Sequence, residues 1–151
     1  MKRLTRHARV LVTDGGRATV LRNEGDTSHP DLAVVRHYGH DNPPTRELGT
    51  GKPSSVQESS GPRRSSAEAV DYHQQAEDRF VAKIAADMAA DLQAGEFEAL
   101  IVVAPPVALG MYRKAASTDL ARATVIEINK DLTKHSHAEI AAIVVKALEG
   151  D

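Results

Sequence analysis

Apolar and polar positions follow two different periods along this chain, and each change of period marks an element. Residues 8–13 (ARVLVT) and 17–21 (RATVL) are short β-branched runs separated by Asp14, Gly15 and Gly16. Strand patterns on either side of a glycine-rich triplet predict an antiparallel hairpin. Residues 23–30 are polar and turn-rich, after which 32–38 (LAVVRHY) resume the strand pattern, so a third strand joins the same sheet. Beyond residue 65 the period lengthens. Val70, His73, Glu77, Phe80, Val81, Ile84, Ala85, Met88 and Leu92 recur at three- and four-residue steps, which predicts a helix with that face turned to the sheet. Ser65 or Ser66 is placed to cap this helix, and Gly95 to stop it near residue 94.

The second half repeats a simpler unit. Residues 99–104 (ALIVVA) form an unbroken apolar run, expected for a central strand covered on both faces. Pro105 and Pro106 then suit a helix start, where missing N–H donors cost nothing, and the helix is expected to reach about Thr118. Residues 124–128 (TVIEI) predict another strand and 138–148 (AEIAAIVVKAL) a closing amphipathic helix. Three meandering strands followed by two strand–helix units predict an α/β fold with a mixed five-stranded sheet covered by helices. One domain over 1–151 accounts for the length, which suffices to bury roughly 70 % of the unfolded surface.

Residues 39–64 fit neither period. They hold four of the seven prolines, four of the ten glycines and only two aliphatic side chains, Leu48 and Val56. A polar stretch of this length between a strand and a helix is where function is sought. The stretch and its rim carry Arg36, Arg46, Lys52, Arg63 and Arg64, with His37 and His40. Arginines on a Gly/Pro-rich backbone suit contact with RNA phosphates. Tyr38 is the lone aromatic there, so base stacking and sequence readout are not expected. The plainer alternative is a solvated loop or one that touches a protein partner.

Charge adds to this picture. Net charge is −2, yet residues 1–64 hold 11 Lys and Arg against 7 Asp and Glu, and residues 65–151 hold 8 against 14. This division suits a basic face for phosphate on an otherwise acidic molecule, or is a chance asymmetry on solvated faces. The absence of cysteine excludes disulfides, thiolate metal sites and thiol nucleophiles. The apolar stretch near the amino terminus is too short for a signal peptide, and no run approaches a membrane span. A soluble cytoplasmic protein without a membrane partner is the expectation.

A second group of residues invites an enzymatic reading. Asp71, His73 and Glu77 lie near the start of the long helix, with His73 and Glu77 four apart on one face. Together with Asp14 they form a candidate polar site that could gather around a divalent metal, as in metal-dependent nucleases. Against this stands a helix-anchoring role, since a His–Glu pair at that spacing is common as a simple hydrogen bond. No metal or cofactor is expected. Asp14-Gly15-Gly16 opens no phosphate loop, and the serines at 54, 55, 59, 60, 65 and 66 lie in no nucleophile elbow.

Several segments carry a family resemblance: LVTDGGRATVLRN at 11–23, NPPTRELGTGKP at 42–53, RSSAEAVDYHQQAEDRF at 64–80, IVVAPPVALGMYRKA at 101–115 and EINKDLTKH at 127–135. In these the sequence resembles the bacterial host-attachment proteins over nearly its whole length, a family named for a phenotype. More distantly, the element order resembles the middle domain of archaeal and eukaryotic class-1 peptide-chain release factors. Those carry a Gly-Gly-Gln motif in the loop after the third strand, where it helps position the water that releases the peptide. Here the corresponding loop has no Gly-Gly-Gln. The only Gly-Gly is 15–16, followed by Arg17, and Gln57 follows Val56. The resemblance therefore implies the scaffold and a ribosomal or RNA partner, without hydrolysis. The sequence-based expectation is a non-enzymatic binding protein. A cytoplasmic protein-interaction module, binding another protein or a second copy, is the alternative, and a metal-dependent nuclease the second.

Overall fold

The computed structural model describes residues 2–39 and 66–150. Within them lie five strands and four helices: β1 (Arg9–Thr13), β2 (Arg17–Asn23), β3 (Leu32–Gly39), α1 (Ser66–Gln93), β4 (Leu100–Val103), α2 (Pro106–Ala115), α3 (Thr118–Ala123), β5 (Thr124–Ile128) and α4 (His137–Glu149). The strands form one mixed sheet in the order β3-β2-β1-β4-β5. β1, β2 and β3 pair antiparallel. β4 lies parallel to β1 and to β5. All residues of β1 and β4 are buried, as their central place requires.

Side-chain alternation divides the core between the two faces. Leu11, Ala18, Val20, Leu100 and Val102 pack with Val81, Ile84, Met88, Leu109, Tyr112 and Leu120 of the first three helices. Val10, Val12, Leu21, Ile101 and Val103 pack with Ile140, Val144 and Leu148 of α4. Three helices thus cover one face and one helix the other.

The ends of the helices follow their residues. Gly95, at φ +80°, ends α1, with Gly95 N–H donating to the Leu92 carbonyl and Glu96 N–H to that of Asp91, both at 3.0 Å. That pair of bonds is a Schellman stop. Ser136 and Glu139 form a reciprocal capping box at the start of α4.

Three features differ from the sequence-based expectation. The helix foreseen from Pro106 to about Thr118 is two helices, because Ser117 accepts from Leu120 N–H and starts α3 anew, which turns Leu120 fully into the core. Asn23, expected as the first residue of a polar turn, closes β2 and is completely buried. Its amide donates to the carbonyls of Leu4 and Thr5 and accepts from the N–H groups of Gly25 and Asp31. Among the residues of α1 whose side chains are described, His73 to Ala76 are exposed and full burial is first reached at Val81, later than the periodicity suggests.

Candidate functional site

The β1–β2 turn lies where β3 ends and α1 passes. Asp14 is used locally: its Oδ1 accepts from Gly16 N–H at 2.8 Å and Arg17 N–H at 2.9 Å. Thr13 Oγ1 accepts from Gly15 N–H and donates to the Arg17 carbonyl. Gly15 sits at φ +95°, and a Cβ there would stand 3.4 Å from the Glu77 carboxylate and 3.8 Å from Ala108. The turn is thereby pressed against α1 and α2. Gly39, at φ +101°, ends β3 so close to the same turn that a Cβ would lie 2.7 Å from the Gly16 carbonyl oxygen. The chain therefore leaves the sheet beside the turn, and α1 passes the turn at Glu77.

β3 is fastened to α1 by a polar network on the same face. Arg36 donates to Asp91 Oδ2 at 2.9 Å and to the Tyr38 hydroxyl at 3.3 Å. Tyr38 donates in turn to Asp87 Oδ2 at 2.7 Å, and its ring meets Phe80 edge-on with centroids 6.3 Å apart. Lys83 stands 3.3 Å from Asp87. Arg9, only 3 % exposed, donates to the same Asp91 oxygen at 2.8 Å and lies over the Phe97 ring, 5.0 Å from its centre. The Tyr38 hydroxyl foremost, then Lys83 and Arg36, holds the Asp87 carboxyl below the usual carboxylate range. Burial raises the Tyr38 phenol above its ordinary value, with the Arg36 guanidinium opposing.

At the C-terminal end of α2 a groove of about 340 Å³ runs between Tyr112, Ala116, Ala121 and Val125. Thr124 Oγ1 donates its one hydrogen to the Leu120 carbonyl at 2.8 Å. Tyr112 must then be the donor in its 2.8 Å contact with Thr124. Burial raises the Tyr112 phenol. Arg113 closes the rim on Glu127 at 2.6 Å.

The pattern of bacterial archaeo-eukaryotic release factor family 12 matches residues 7–144. The chain belongs to that family. Among solved structures, that of the archaeal translation termination factor aRF1 is similar, at 13 % identity and a TM-score of 0.46 over 95 % of this chain. The chain spans 39 % of the length of that factor. No curated protein matches.

In this member of the release-factor family the residues singled out from sequence have separate fates. Arg36 is engaged with Asp91 and Asp87 and holds β3 to α1. Arg46, Lys52, Arg63 and Arg64, with nearly all of the 39–64 segment, lie outside the described residues, as does the side chain of Asp71. Glu77 reaches the hairpin turn beside Asp14, while His73 is exposed one turn earlier. Among the described residues no three His, Asp or Glu side chains gather as metal ligands; the side chain of Asp71, the fourth member of the candidate polar site, lies outside them. Sequence reasoning missed Arg9, Asp87 and Asp91. The signal for the two acids was the stripe of Lys83, Asp87 and Asp91 at four-residue steps; Arg9 had none. No helix among the described residues is long and apolar enough to cross a membrane.

Proposed function

We propose that this release-factor-like chain is a non-enzymatic cytoplasmic binding protein that contacts RNA or the ribosome through the 39–64 loop without releasing peptide. Membership of the family over residues 7–144 carries the proposal. The loop supplies Arg46, Lys52, Arg63 and Arg64 for phosphate contact. Arg36 belongs to the mounting, because its charge is already met by Asp91. The network from Arg36 and Tyr38 to Asp87 and Asp91 fixes the strand from which the loop departs.

On this reading the chain releases no peptide. The one Gly-Gly pair is committed to the β1–β2 turn, where Gly15 packs on Glu77, and no Gly-Gly-Gln stands in the loop. Attachment to host cells, which the first resemblance implies, would on this reading follow indirectly from an effect on RNA or ribosomes. The test is sedimentation of tagged protein in lysate through a sucrose gradient. Co-migration with ribosomes at low salt that disappears at high salt is the expected result. Protein that stays at the top at low salt, in stressed and unstressed cells alike, removes the proposal and leaves a protein-interaction module.

A further inference from the structure

Five strands at about 4.8 Å spacing make a sheet wider than the roughly 10 Å diameter of the one helix on the α4 side. Val34 is cross-strand partner to Leu21, which faces α4, yet Val34 is 51 % exposed. Between α4 and the β2–β3 turn runs a trough of about 940 Å³, with Ala138, Ala142 and Val145 on one wall and Arg3, Ser28 and Pro30 on the other. The sheet edges are poor places for association. A register shift interrupts the β2–β3 pairing at Val20/Leu21, and at β5 Lys2 Nζ occupies the Val125 carbonyl at 3.2 Å; both devices discourage strand addition.

The pattern along α4 selects the occupant. Ala138, Ala142, Val145 and Glu149 follow one another at steps of four, three and four, the spacing of a helix-pairing seam. Small side chains along it let two helix axes come close. Beside the seam, on a single flank, stand exposed Glu139 and Lys146, one heptad apart. Lys146 has no ion-pair partner among the described residues, and Glu139 uses its Oε1 on Ser136 N–H and His135. The other flank carries Ala141 and Leu148, both buried in the chain's own core. In an antiparallel pair each flank faces its counterpart, so Glu139 meets the Lys146 of the partner subunit, twice by symmetry. A parallel pair would set these charges against the uncharged flank. We propose that α4 is a self-association surface, and that it packs antiparallel on α4 of a second copy about Ala142.

Sedimentation equilibrium of the full chain tests this, with circular dichroism to confirm that each variant is folded. The wild type is expected to dimerise and Ala142→Arg, at an exposed position, to be monomeric. Lys146→Glu should weaken the dimer roughly tenfold by placing like charges together, and Glu139→Lys combined with Lys146→Glu should restore it. Because Glu139 also caps α4, a second measurement stands apart from the swap. The chain has no cysteine, so Ala142→Cys introduces the sole thiol, close to the two-fold axis. Oxidation should yield a covalent dimer from Ala142→Cys and none from Lys114→Cys. A wild type that stays monomeric at every concentration overturns the proposal. So does an Ala142→Arg variant that still dimerises, or an Ala142→Cys variant that fails to cross-link.

Discussion

Arg36 on β3 and Asp91 on α1 meet at 2.9 Å, on the carboxylate oxygen that Arg9 holds at 2.8 Å from the first strand. One acid thus joins an edge strand, a central strand and the long helix. Among the described residues, replacing it leaves Arg9, 3 % exposed, with Glu96 at 3.7 Å as its one remaining acid. Asp91→Ala should therefore cost about 3 kcal/mol, the low end of the range for breaking a buried ion pair from one side, since Asp91 itself is 19 % exposed. Arg36→Ala, at a half-exposed position, should cost about 1 kcal/mol or less. Urea denaturation of both variants measures the two values, and equal losses would contradict the ranking.

Gly15 and Gly16 are adjacent but stand under different constraints. Gly15 needs the left-handed conformation and has Glu77 within 3.4 Å of a Cβ, whereas a Cβ on Gly16 would meet only Asp14 Oδ1 at 3.6 Å. Gly15→Ala should lose about 1–2 kcal/mol, the cost of a side chain at positive φ. Gly16→Ala should change stability by less than about 0.5 kcal/mol. Thermal melts separate them, since at this chain length each kcal/mol moves the midpoint about 2–4 °C.

The Tyr38–Asp87 bond predicts a pH dependence with a definite sign. Asp87 has its folded pKa lowered, chiefly by the Tyr38 hydroxyl, so its contribution is present above the ordinary carboxylate pKa and is lost as pH falls through the lower, folded value. The stability difference between wild type and Tyr38→Phe should be largest near neutrality and shrink below about pH 4. At the alkaline end Tyr38 and Tyr112, both raised by burial, contribute fully below the ordinary phenol pKa and lose that contribution as pH rises past it. Denaturation midpoints across pH measure both limbs, and a difference that stays constant into acid would refute the role of Asp87.

Much of the fold was legible because periodicity and turn chemistry agree locally. The unbroken run at 100–103 became the buried central strand β4, and Gly95 ended α1 where expected. Other features depend on contacts remote in sequence. The burial of Arg9 requires Asp91 and Phe97, more than eighty residues away, and nothing in ARVLVT signals it. Ser117 reads as one more position in a helical stretch until its hydroxyl is seen capping Leu120. His73 shares the period of the packed face, yet that period continues beyond the sheet that could cover it. For the candidate site, the sequence marked Arg36 by its charge, but only its pairing with Asp91 reveals a mounting role.

If the loop arginines, and not Arg36, carry the contact with RNA, the salt dependence of binding to purified ribosomes must divide them. The comparison is among the wild type, Arg36→Ala and Arg46→Ala/Arg63→Ala/Arg64→Ala. Removing one phosphate contact lowers the slope of log affinity against log salt by about 0.7–0.9. The triple variant is therefore expected to show a slope reduced by roughly two to three, and Arg36→Ala the slope of the wild type. A wild type that does not bind at low salt, or a triple variant with the wild-type slope, would refute the role given to the loop.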